Sequence, residues 1–155
     1  MTVLAIIVDD ILGDIKRKDH IIFGVNVEGI MPNTGVGYGF QNRVAEEHSG
    51  KFFSLGEKEI GEVVSVFVEE ENFWLHGVVN HSVREGWDPD NYDTVQLALD
   101  KLWAEHEDEV VRPMKTMWLG KGKSRQHGET KGSVIKGIQS LVNSKGDFVV
   151  YYVEN

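Results

Sequence analysis

Runs of alternating or continuous apolar residues along the chain predict six β-strands. The β-branched and aromatic side chains in these runs fit a pleated, buried surface. The predicted strands are Val3 to Val8, His20 to Val25, Val63 to Glu69, Phe73 to Asn80, Lys115 to Leu119 and Asp147 to Val153. Short continuous apolar runs such as the second are typical of strands that are covered on both faces.

Three segments between these strands carry apolar residues at helical spacing. In the second segment Val95, Leu99 and Leu102 fall on one face, which Trp103 extends. The predicted helices cover Gly35 to Glu47, Asn91 to His106 and Lys131 to Val142. Because strands alternate with helices, we predict an α/β fold with a mixed sheet covered by helices on both sides. The sequence contains no repeat and no low-complexity linker, so one domain over residues 1–155 is expected.

Composition narrows the class of protein. With 41% hydrophobic and 26% charged residues, the chain of 155 residues is typical of a soluble globular protein. It contains no cysteine, which excludes thiolate catalysis and cysteine-ligated zinc. The apolar start is too short for a membrane span and lacks the basic segment of a signal peptide, so a cytoplasmic protein is expected.

Charge limits the partners. A formal net charge of −9 argues against a broad face for duplex DNA, because such faces neutralise phosphates with lysine and arginine. One basic window, residues 115–136, suggests an anion bound near residues 120–132. No two histidines share a helix face at i, i+4 spacing, so the sequence predicts no zinc site, and no cofactor is expected.

The most informative segment is the loop after the second predicted strand. That strand ends in Asn26, and Gly29, Gly35, Gly37 and Gly39 follow it. Glycine allows backbone N–H groups to approach a ligand closely, and a strand, a glycine-rich loop and a helix in this order are typical of phosphate binding. The segment therefore predicts a site for a nucleotide-like diphosphate.

Two other phosphate-binding motifs do not fit the sequence. A P-loop ending in Gly122-Lys123-Ser124 would need glycine at the position of Met117. The glycines of Gly35-Val36-Gly37 lack the third glycine of the dinucleotide fingerprint.

Three motifs instead occur in a fixed order along nearly the whole chain. They are Gly13-Asp14-Ile15, then Asn26-x-x-Gly29-x-Met31 followed by Gly35-Val36-Gly37, and finally Gly120-Lys121-Gly122. This order resembles the macro domain, the ADP-ribose-binding module, and in particular its branch of ADP-ribose 1″-phosphate phosphatases and ADP-ribosyl-glutamate hydrolases. The resemblance implies a three-layer α/β/α fold with a mixed sheet of about six strands.

The resemblance also implies ligand-binding roles. Asp14 would accept a hydrogen bond from the adenine amino group, with Ile15 beside it, since an ionised carboxylate only accepts hydrogen bonds. Asn26 would contact the distal ribose, and Trp87 would stack on the ligand or act as a lid. The other implied contacts come from the two phosphate loops, at Gly29, Gly35, Val36, Gly37, Gly120, Lys121, Gly122, Lys123, Ser124 and Arg125. Between the first loop's glycines, Pro32-Asn33-Thr34 departs from the family pattern.

Catalysis is less well indicated than binding. Some members of this branch use a lysine near the end of the middle strand and an aspartate after the second loop, but Asn80 or His81 and Ser124 stand at those places. We therefore do not expect the lysine-dependent mechanism. Others position water with a histidine, for which His81 and His127 are the candidates, with Glu129 as an orienting carboxylate.

Two classes of function follow. The first is an enzyme that binds and hydrolyses an ADP-ribose derivative, as an ADP-ribose 1″-phosphate phosphatase or an ADP-ribosyl hydrolase. The second is a non-catalytic reader of ADP-ribose or a related nucleotide, and an RNA-binding module using the basic second loop is a further alternative. The expected partners are ADP-ribose or a related nucleotide and ADP-ribosylated protein or nucleic acid.

Overall fold

All six predicted strands are present in the structure, which is a computed structural model. It describes residues 2–8, 11–30, 39–40, 42–44, 46–52, 58–82, 92–117 and 145–152. The strands are Thr2–Val8 (β1), His20–Asn26 (β2), Val63–Val68 (β3), Phe73–His81 (β4), Met114–Met117 (β5) and Asp147–Tyr152 (β6). They form one sheet in the order β1-β6-β5-β2-β4-β3. The predicted mixed sheet of six strands is therefore confirmed.

Strand direction determines where a site can form. Strands β1, β6, β5, β2 and β4 pair in parallel, whereas β3 pairs antiparallel with β4. Parallel neighbours end at the same edge of the sheet, and ligands of open α/β sheets bind outside those carboxyl ends. Here Asn26 ends β2 and pairs, after a register shift at Val25, with His81, which ends β4.

Helices cover the sheet much as the sequence predicts. The helix Tyr92–His106 (α2) matches the predicted Asn91 to His106, and its stripe is buried at Val95, Leu99 and Leu102. The predicted helix from Lys131 to Val142 lies outside the described residues. Within the described residues, no helix combines the length and apolar character needed to cross a bilayer.

The structure differs from the predicted helix Gly35 to Glu47 at its carboxyl end. Residues 39–40 and 42–43 are helical, and a separate helix runs through Glu46–Phe52 (α1). Its helical propensity is weak at Gly50, but Phe52 is buried against Phe23 with ring centroids 5.0 Å apart. The predicted end was wrong because tertiary packing outweighs local propensity here.

Alternate residues of β2 supply two separate cores. Ile21, Phe23 and Val25 face the cluster that contains Phe52 of α1, together with the short 3-10 turn Ile11–Gly13. Ile22 faces the second cluster, which is built on α2. Helices therefore lie on opposite faces of the sheet, in the three-layer arrangement that was predicted.

Candidate functional site

Asp14 follows the 3-10 turn and presents a half-exposed carboxylate to one side of the sheet. The Tyr151 hydroxyl donates a hydrogen bond to its Oδ2 atom, and the Lys115 ammonium group lies 3.8 Å from the same atom. The Tyr151 hydrogen bond, aided by the positive charge of Lys115, lowers the pKa of Asp14 below its ordinary value. The carboxylate is therefore ionised at neutral pH and can accept further hydrogen bonds from a ligand.

A buried ion pair holds the segment that carries Asp14. The Lys115 Nζ atom lies 2.7 Å from the Asp19 Oδ2 atom, and the two side chains are 7% and 1% exposed. Lys115 also donates to the backbone carbonyl of Asp14. Asp19 accepts a second hydrogen bond from the backbone amide of Lys16 at 2.7 Å and a third from Arg112 Nε at 2.9 Å. Lys115 of β5 therefore contacts both ends of the segment 14–19, at the Asp14 carbonyl and at the Asp19 carboxylate.

Asn26 shapes the loop that leaves the carboxyl end of β2. Its carboxamide donates to the backbone carbonyl of Ile30 and accepts from the Ile30 amide, both at 2.8 Å. Within this closed turn Gly29 has φ 69°, a left-handed conformation that glycine adopts without strain. The structure therefore gives Asn26 a role in fixing the loop, while its contact with a ribose stays a prediction.

His81 lies beside Asn26 and is held in a single orientation. Its Nδ1 atom lies 2.7 Å from the Asn80 Oδ1 atom, which makes Nδ1 the donor and leaves the lone pair on Nε2. Gly24 provides the space, because a Cβ there would lie 2.7 Å from the same Asn80 oxygen. Burial lowers the pKa of His81 to about 4, against the opposing effect of Glu28, so the imidazole is neutral at neutral pH.

Five of the predicted site residues lie within the part of the chain that the structure describes. Asp14 and Ile15 lie beside Tyr151 and the first core cluster, whereas Asn26, Gly29 and His81 meet at the carboxyl ends of β2 and β4. The remaining predicted residues lie outside the described residues; they are Gly35, Val36, Gly37, Trp87, Gly120, Lys121, Gly122, Lys123, Ser124, Arg125, His127 and Glu129.

The structure adds three residues that the sequence did not predict for the site, Tyr151, Lys115 and Asp19. The sequence did indicate a buried ion pair, because Lys115 stands in an apolar strand and a buried ammonium group needs a carboxylate partner. The partner of Lys115 could not be identified from the sequence, since Lys115 and Asp19 are 96 positions apart.

A groove of about 800 Å³ lies elsewhere, between the edge strand β3 and helix α2. Its lining includes Glu59, Glu62 and Glu105 but also Lys101. Three carboxylates against one ammonium group disfavour the binding of a diphosphate in this groove.

The fold is that of macrodomains, as comparison with solved structures shows. The macrodomain of Mycobacterium tuberculosis DarG matches with a TM-score of 0.68 and 20% identity, over 95% of this chain and 97% of that chain. The macrodomain of Thermus aquaticus DarG matches with a TM-score of 0.64 and 17% identity, over 95% of both chains. A structure of the Oceanobacillus iheyensis macrodomain with ADP matches with a TM-score of 0.64 and 14% identity, over 97% of this chain and 82% of that one. Neither a family model nor a curated protein matches the sequence.

Proposed function

We propose that this protein binds ADP-ribose, with Asp14 reading the adenine base and the loop fixed by Asn26 contacting the distal ribose and phosphate. The observation that carries the proposal is the ionised, half-exposed Asp14 carboxylate, held by Tyr151 and Lys115. The macrodomain fold supports it, and one of the similar structures contains ADP.

The chemistry of Asp14 suits the 6-amino group of adenine. An ionised carboxylate accepts hydrogen bonds and cannot donate one, so it pairs with that amine and repels the carbonyl oxygen that hypoxanthine carries at the same position. The phosphate contacts of this proposal come from Gly35 to Gly37 and from Gly120 to Arg125. The same arrangement accepts ADP-ribose that is free or attached to protein or nucleic acid.

Replacing Asp14 with alanine is expected to weaken ADP-ribose binding by about 10- to 100-fold. The lost hydrogen bond involves a charged group, and such bonds contribute about 1.5–3 kcal/mol. Calorimetric titration of both proteins measures the change. A hypoxanthine analogue of ADP-ribose should bind the unmodified protein more weakly than ADP-ribose and should lose less affinity in Asp14→Ala.

Asp108→Ala is the matched control, because it removes one exposed carboxylate at the turn after α2 and leaves Asp14 unchanged. It should bind ADP-ribose as the unmodified protein does. Equal affinity of Asp14→Ala and Asp108→Ala would show that Asp14 does not read the base.

Hydrolysis of an ADP-ribose derivative is the second candidate function. It is favoured by the position of His81 beside Asn26, with Nε2 carrying the lone pair. A pKa of about 4 makes His81 a weak base at neutral pH, where the best-matched base has a pKa near the working pH. The binding role is therefore placed first. Turnover of ADP-ribose 1″-phosphate that disappears in His81→Gln or His127→Ala would support catalysis. Absence of turnover in the unmodified protein would favour binding without catalysis.

A further inference from the structure

Three histidines from three different elements meet at the amino end of the sheet. His20 is the first residue of β2, His76 lies in β4 and His106 is the last residue of α2. Their ring centroids are 5.3 Å apart for His20 and His76, 5.0 Å for His20 and His106, and 4.8 Å for His76 and His106. All three side chains are buried, and the Trp74 ring stacks on His76 at 5.7 Å.

A carboxylate completes this cluster at the surface. Glu109, in the turn after α2, contacts the His106 Nδ1 atom, and its side chain is 53% exposed. His20, His106 and Glu109 each offer one ligand atom, and these atoms all lie within 4.8 Å of one another. Two imidazoles and a carboxylate are the ligand types that zinc and similar transition metals prefer.

Two hydrogen bonds behind His20 fix its ring. The His20 Nδ1 atom lies 3.0 Å from the His76 Nε2 atom, and His76 Nδ1 lies 2.7 Å from the Ser65 hydroxyl. Protons on both Nδ1 atoms give a consistent chain, in which His20 donates to His76 and His76 donates to Ser65. Metal-ligating histidines almost always have such a partner on the second ring nitrogen.

We propose that His20, His106 and Glu109 bind one divalent transition-metal ion of the zinc class, with His76 and Ser65 orienting His20 from behind. The ligand atom of His20 is Nε2, because Nδ1 is engaged by His76. Three protein ligands leave one tetrahedral position for water, and the exposed Glu109 provides the entry path. The ion would join the start of β2 to the end of α2.

This site shares no residue with the proposed nucleotide site, although Asp19, which anchors the segment of Asp14, directly precedes His20. His20 and Asn26 are the first and last residues of β2, and a strand of that length spans about 20 Å. A failure of metal binding would therefore leave the proposed function unaffected. The i, i+4 criterion missed the cluster because its histidines come from two strands and one helix rather than from one helix face.

The test is titration of the full chain with Zn²⁺ alone and with Co²⁺ alone. We expect one equivalent of Zn²⁺ to bind with saturation, and Co²⁺ to give the visible absorption bands of a low-coordinate site. His106→Gln and Glu109→Gln, at the rim of the site, should each lower Zn²⁺ affinity at least 10-fold. Ser65→Ala, which removes the hydrogen-bond partner of His76, should lower Zn²⁺ affinity by less than either substitution of a ligand.

Asp108→Asn is the control, since it removes a neighbouring exposed carboxylate outside the ligand set. It should bind Zn²⁺ as the unmodified protein does, and circular dichroism should give the same spectrum for all four variants. The proposal is overturned if no saturable Zn²⁺ binding occurs up to millimolar concentration. Zn²⁺ affinities of His106→Gln and Glu109→Gln equal to that of the unmodified protein would also overturn it.

Discussion

Replacing Asp19 with alanine is expected to lower the free energy of unfolding by about 3–5 kcal/mol, the cost of removing one partner of a buried ion pair. The substitution removes the carboxylate that lies 2.7 Å from the buried Lys115 ammonium group and leaves the more distant Asp14 carboxylate at 3.8 Å. It also removes the acceptor for the Lys16 amide and for Arg112. Since domains of this kind are stable by only about 5–15 kcal/mol, the loss is a large fraction of the total.

Urea denaturation with linear extrapolation measures the change. Asp19→Asn keeps an oxygen acceptor of the same shape and loses only the charge, so it should be less destabilising than Asp19→Ala. The matched control is Glu71→Ala, which breaks an ion pair with Arg43 of the same 2.7 Å length between side chains that are 39% and 34% exposed. An exposed pair contributes about 0–1 kcal/mol, so equal losses in Asp19→Ala and Glu71→Ala would contradict the account.

Acidification is expected to destabilise the protein through His81, by about 3 kcal/mol between neutral pH and pH 4. The folded-state pKa of about 4 lies below the ordinary value of 6.5. Between these two values the unfolded chain binds a proton that the folded chain does not, so stability falls as the pH decreases through this range and is constant above it. Each pKa unit contributes about 1.4 kcal/mol, which gives the expected total.

Urea denaturation between pH 7 and pH 4.5, compared for the unmodified protein and His81→Gln, isolates this effect. His20 and His76, whose pKa values burial also lowers, are present in both proteins and contribute equally to both curves. The stability of His81→Gln should therefore depend less steeply on pH. Parallel curves for the two proteins would mean that His81 is not buried in its neutral form.

The sheet was predictable from the sequence because short apolar runs are typical of buried strands. Each predicted strand agrees with the structure to within about two residues, a normal scatter for boundaries. The end of the first predicted helix was not predictable, since the helix Glu46–Phe52 contains Gly50, a weak helix former, and packs Phe52 against the distant Phe23. Local patterns identify elements, whereas long-range packing sets where they end.

The resemblance alone predicts roles for Asp14 and Asn26, and these roles stay predictions. The structure adds the contacts that hold each side chain. Tyr151 lies 137 positions from Asp14, so no local pattern links the hydroxyl to the carboxylate that it orients. The histidine cluster was missed for the same physical reason, because β2, β4 and α2 bring its members together only in the folded chain.

The ion pair between Lys115 and Asp19 links stability to the proposed function. It anchors residues 14–19, and the same ammonium group donates to the backbone carbonyl of Asp14. Loss of the pair would remove contacts that hold the Asp14 carboxylate, which we propose reads adenine. A carboxylate held in position by such contacts favours binding of a planar base.

Titration of the ¹⁵N-labelled protein with ADP-ribose, followed by backbone amide chemical shifts, tests the central claim most directly. The account predicts saturable shifts at both ends of the site, at Asp14 and Ile15 and at Gly29 and His81, together with the loops Gly35 to Gly37 and Gly120 to Arg125. The account is contradicted if no amide shifts at millimolar ADP-ribose, or if the shifts are confined to the groove between β3 and α2.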